Sequence, residues 1–104
     1  MLLSTTSTLQ NMQVKEYKGI VCGEVIEGVN FVKDFSAGLT NFFGGRSSAY
    51  EEEIINARSE AMNEMISKAS GMGANAVIGI DVDYETLGQN MLMVSVTGTA
   101  VVVE

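Results

Sequence analysis

The sequence of 104 residues has no histidine, no proline, no tryptophan and a single cysteine. Without histidine the chain lacks the commonest general base and the commonest nitrogen ligand for transition metals. A Ser-His or Cys-His nucleophile is thereby excluded. Cys22, standing alone, cannot close an internal disulfide, which agrees with a reducing compartment. Without proline, changes of chain direction fall on eleven glycines and on polar turn residues. Basic residues are scarce too: six against thirteen acidic ones give a net charge of −7. A phosphate backbone would be repelled by that balance, so nucleic acid is not an expected partner. No apolar run approaches the roughly 20 residues of a membrane-spanning helix. The opening MLLSTTSTLQNM has neither the basic n-region nor the apolar h-region of a secretory signal. No membrane partner is expected, and the cytoplasm is the expected location.

What the chain does contain is apolar surface. With glycine included, its apolar share exceeds the roughly 45–50% of an ordinary soluble domain, and the length suits one domain over residues 1–104. LLSTT at 2–6 reads as a short strand and 10–16 as irregular. From Lys18, KGIVCGEVIEGV is β-rich, with Ile20, Cys22 and Ile26 on one side and Val21, Val25 and Val29 on the other. Both sides are partly apolar, so this strand is expected to be covered on both faces. Phe31, Phe35, Leu39 and Phe42 then fall at helical spacing and predict a short helix, weakened at Gly38.

A long helix is expected from Ser48. Ser48 with Glu51 fits a capping box, and Glu51, Glu52 and Glu53 occupy the first turn, where the helix dipole favours carboxylates. Its apolar stripe runs Ile54, Ile55, Ala61, Met62, Met65, Ile66, Ala69, Met72, and a left-handed cap at Gly71 or Gly73 ends it. Two strands follow. In the first, Ala76, Ile78, Ile80, Val82 and Tyr84 alternate with Val77, Gly79, Asp81, Asp83 and Glu85. After a turn at LGQN, residues 87–90, the second directs Leu92, Val94, Val96, Ala100 and Val102 to the core. The expected class is α+β: a two-layer β-α-β-β unit with an antiparallel sheet packed on one long helix. One helix covers one sheet face, so the surplus apolar surface predicts a homo-oligomer.

Several groups are candidates for chemistry, each with a plainer structural explanation. In FFGGRSSAYEEE, Gly44 and Gly45 would let backbone N–H groups approach an anion. Arg46 would add charge, with Ser47 and Ser48 at the helix start. The three glutamates oppose that anion, and a helix start explains the motif better. Arg58 lies within one turn of Ile54, Ile55, Ala61 and Met62 and would need an ionic partner on that side, or would serve with Tyr50 as a ligand-binding cation. Cys22 could bind metal only where symmetry gathers its copies, since zinc or copper wants several soft ligands. Asp81, Asp83 and Glu85 share a strand face at about 7 Å intervals, the pattern of a solvated face or of oxygen ligands for a hard cation. Met62, Met65 and Met72 at helical spacing read as core filler.

GGRSSAYEEEI, the AR pair of Ala57 and Arg58, and GANAVIGI at 73–80 occur in order along the chain. Together they resemble the YbjQ-like family of small bacterial proteins, a family without an assigned activity that is described as heavy-metal-binding. The resemblance covers nearly the whole chain and carries over onto Gly44, Gly45, Tyr50, Arg58 and the Gly73–Val77 stretch. It implies a dodecin-subunit-like fold and a ring-shaped homopentamer. It assigns no cofactor and no catalytic residue. The leading expectation is an oligomeric module that binds a small ligand or metal at subunit interfaces. The alternatives are an enzyme using Tyr50 and Arg58 near the Gly44-Gly45 turn, and a purely structural assembly protein.

Overall fold

The computed structural model describes residues 1–27, 48–87 and 91–104. Within them lie β1 (Leu2–Leu3), β2 (Val14–Glu27), α1 (Ser48–Gly71), β3 (Ala76–Leu87) and β4 (Met91–Val103). The strands form one sheet in the order β1-β3-β4-β2. β4 pairs antiparallel with β2 and with β3, while β1 adds a two-residue parallel pairing on β3. The α+β class and the long helix agree with the sequence reading, although the sheet is mixed because the N-terminal strand joins it in parallel. The short helix expected around Phe31–Phe42, the Gly44–Ser47 turn and Val29 lie outside the described residues, as do Gly88 to Asn90 of the turn before β4.

The helix packs on the sheet through small residues. Ala57, Ala61, Met65 and Ala69 recur every four positions and are fully or almost fully buried. They meet Val21 of β2, Val77 and Ile80 of β3, and Val94, Val96 and Ala100 of β4. The approach is closest at Gly23, where an added Cβ would overlap the carbonyl oxygen of Ala61 and lie 2.9 Å from the amide nitrogen of Met65. Lys68 ties the same surfaces together by donating from Nζ to the carbonyl of Cys22 at 2.9 Å. The stripe is thus narrower than the one read from sequence: Ala57 belongs to it, whereas Ile55 and Met72 are largely exposed.

The helix ends in a Schellman motif. Ala74 donates to the carbonyl of Ala69, and Gly73 donates to that of Ser70. Gly73 itself sits at φ 84°, a left-handed conformation that a Cβ would strain.

A bulge in β3 rearranges the faces. The pairing with β4 shifts between Ile78 and Asp81, and Gly79 stands there at φ 61°. One extra residue reverses the alternation. Val77 before the bulge and Ile80 after it therefore both face the helix. Ala76 and Ile78 turn to the other face, where they form a second core with Val101 and Val103 under Leu9 and Val14. This corrects the single apolar set of Ala76, Ile78, Ile80, Val82 and Tyr84. The freed amides are satisfied by the N-terminal segment: Gly79 donates to the carbonyl of Thr6 and Ile80 to that of Ser4. At the far end of β4, Asn75 clamps Val103, donating from Nδ2 to its carbonyl at 2.9 Å and accepting its N–H at 2.8 Å.

Beyond the second core, the face opposite the helix is uncovered among the described residues. Ile20 is 83% exposed and Ile26 56%, so the described residues cover β2 on one face, not two.

The Gly23 contact is testable. Gly23→Ala forces the helix off the sheet and should cost about 1–3 kcal/mol, the range for overpacking a tight contact. Urea denaturation of the two proteins measures it.

Candidate functional site

The open sheet face is where the chain concentrates polar chemistry. Strand register sets it out in rows. Asp81 pairs with Thr97, which pairs with Cys22; Asp83 pairs with Ser95, which pairs with Glu24; Glu85 pairs with Met93, which pairs with Ile26. The common expectation for Asp81, Asp83 and Glu85 holds here, because all three lie after the bulge and share one exposed face. A depression of about 370 Å³ lined by Asp83, Tyr84, Glu85, Met93 and Ser95 opens at its upper end.

Two carboxyls on β3 interact directly. A side-chain hydrogen bond with Asp81, and then its charge, hold the Asp83 carboxyl above its ordinary value of 3.8. Two like charges so close favour retaining one proton between them.

Cys22 lies on the outer strand β2, two strands from β3. Its Sγ lies 3.4 Å from Oε1 of Glu24 and 3.8 Å from Oγ of Ser95. Partial burial pushes the thiol above its ordinary value of 9.0, and Glu24 adds to the rise, while the Ser95 hydroxyl opposes it. The thiolate is the nucleophile and the metal ligand, so this environment lowers the share of Cys22 present as thiolate at neutral pH.

Of the remaining nominated residues whose side chains are described, Arg58 does not join this face. Arg58 is exposed on α1, in the other layer. The apolar setting read for it from sequence is corrected: Ala57 and Ala61 point inward, and Arg58 points to water. Tyr50 and Ser48 fall in the first turns of α1, and their side chains, like that of Glu51, lie outside the described residues, as do Gly44, Gly45, Arg46 and Ser47. A second depression of about 340 Å³, lined by Ile54, Tyr84, Thr86 and Leu92, sits between α1 and the upper sheet and is apolar. Glu24 and Ser95 were not singled out from the sequence. Their parity with Cys22 and Asp83 was available there, but the register that brings them together was not.

With this geometry in hand, comparison with known proteins is informative. The YbjQ family profile, described as "Putative heavy-metal-binding", matches residues 1–104. The chain belongs to this family. Over its full length it is 63% identical to a UPF0145 protein of Acetivibrio thermocellus and 61% identical to one of Clostridium kluyveri, spanning all of each. It is 60% identical to a UPF0145 protein of Listeria welshimeri, spanning 96% of that protein. A crystal structure of a DUF74-family protein of unknown function from Pediococcus pentosaceus shares the fold. Its TM-score is 0.66 at 14% identity, with 100% of this chain and 98% of that one covered.

The donor set of the described residues does not fit the family's description. Among the described residues no three His, Cys, Asp or Glu side chains are placed to hold a metal ion. No helix among them is long and apolar enough to cross a membrane.

Two measurements probe the site. Glu24→Gln removes a charge that raises the Cys22 pKa, so iodoacetamide should alkylate the variant faster than the parent at pH 8, with the difference closing as pH rises well above 9.0, the ordinary thiol value. Asp83 has the opposite pH signature in stability. Its raised folded pKa means that the folded chain binds the proton more tightly than the unfolded chain. The resulting stabilisation is present below the ordinary value of 3.8 and lost as pH rises through the folded pKa. Asp83→Asn should therefore melt slightly above the parent at pH 7, and the gap should vanish in acid; the shift is small because solvent screens this exposed pair.

Proposed function

We propose that the chain is a single-domain module that works as a cytoplasmic homo-oligomer, a pentameric ring, and binds a small ligand or metal where subunits meet. It is not a catalyst in this reading. The observation that carries the proposal is the outer strand β2. It is a 14-residue edge strand on which Tyr17 is 70%, Ile20 83% and Ile26 56% exposed.

A long edge with apolar side chains is a template for pairing with another chain. Covering each isoleucine would contribute about 1.5–3 kcal/mol, and the outer backbone groups of β2, the edge among the described strands, could pair with a second chain as well. Association costs on the order of 4–15 kcal/mol, so these residues reach the required scale only with further contacts, which ring closure supplies by giving every chain two interfaces. The small-ligand part of the proposal keeps to the residues nominated by the sequence, Gly44, Gly45, Arg46, Ser47, Ser48, Tyr50 and Arg58.

Light scattering coupled to gel filtration tests the assembly. The expected mass is about five times 11.1 kDa, and Ile20→Lys with Ile26→Lys should shift it toward one chain while the circular dichroism spectrum is kept. A single-chain mass for the parent in dilute neutral solution overturns the proposal.

A further inference from the structure

We infer that this chain carries no heavy-metal centre of its own, and that a thiophilic ion meets on it only half a site, the Cys22 thiol beside the Glu24 carboxylate. Zinc and its soft relatives are held by several nitrogen or thiolate donors at about 2.0–2.3 Å, so atoms sharing one ion lie within about 4.6 Å of each other. The count fails first, since the whole sequence offers no histidine and one cysteine.

Geometry then fails around the thiol. Among the described residues, the Sγ of Cys22 has within that sphere Oε1 of Glu24 at 3.4 Å, Oγ of Ser95 at 3.8 Å and the carbonyl oxygen of Gly23 at 3.8 Å. All are oxygens, and a neutral hydroxyl or carbonyl is a poor ligand for a soft ion. Asp81 and Asp83 stand on β3, two strand spacings away at about 9–10 Å. The thioethers of Met62, Met65 and Met93 are no nearer. Met62 and Met65 pack on the helix side, with the sheet between them and the thiol. Met93 shares the open face but lies four residues along β4 from Thr97, the partner of Cys22, or about 13 Å by strand rise.

The inference is independent of the proposed ring. If copies of Cys22 converge, each ion still takes at least two thiolates, so retention reaches at most one ion per two chains. Zn²⁺ and Cd²⁺ are loaded separately onto the full chain and onto Cys22→Ser, excess is removed by gel filtration, and metal per chain is counted by elemental analysis. The expected result lies between none and one ion per two chains for the parent, and none for the variant. More than one ion per two chains, or retained metal in Cys22→Ser, overturns the inference. Thiolate-to-Cd²⁺ charge-transfer absorption, read on the parent alone, covers the case in which the variant fails to fold: an intensity that saturates at one ion per chain overturns it equally.

Discussion

The contact between the backbone of α1 and Gly23 of β2 fixes how the two layers sit. Because a Cβ at Gly23 would overlap the Ala61 carbonyl, the helix can lie against the strand without an intervening side chain. The alanines at 57, 61 and 69 extend that close approach along the helix. The consequence is lateral: α1 lies chiefly over β2 and β4 and touches β3 little. The upper part of β3 on the helix side is left to Tyr84 and Thr86, which line an apolar depression with Ile54 and Leu92.

The bulge at Gly79 is the second constraint, and it depends on the first. With the helix set against β2, Val77 and Ile80 must both reach toward it, and the added residue turns them to the same side. They crowd the point above Gly98 of β4, where a Cβ would collide with Val77. The same reversal sends Ala76 and Ile78 to the opposite face, where the N-terminal segment supplies Leu9 as cover. One left-handed residue thereby divides the apolar side chains of the last two strands between two cores.

These devices explain what could be read in the sequence. Long periodic segments were legible: α1 spans Ser48–Gly71 and ends at the glycine cap that the sequence indicates, and β3 and β4 lie where alternation places them. The bulge was not, because Gly79 interrupts nothing in the composition of its strand, and a period-two reading passes through it without a break. Burial of Ala57 was hidden for a related reason. The stripe read from sequence takes Ile54 and Ile55 and passes over Ala57 between them and Ala61, although a helix in contact with backbone selects small size. At the candidate site, Cys22 and the β3 carboxylates were visible individually. Their neighbours Glu24 and Ser95 required strand register, which a single sequence does not print.

Charge on the open face then limits how copies could meet. Its exposed isoleucines, Ile20 and Ile26, belong to the outer strand β2, while Asp81, Asp83 and Glu85 belong to β3 at the other side of the sheet. A two-fold contact through β3 would set these carboxylates against their own copies, although Asp81 and Asp83 already crowd each other within one chain. Like charges placed opposite each other across paired strands destabilise. The strand β2 bears the exposed isoleucines and two lysines, Lys15 and Lys18, each within ion-pair distance of a glutamate. It carries no such concentration of one sign. In the proposed ring every chain presents two different surfaces to its neighbours, and β2 is the edge of this sheet whose chemistry suits one of them.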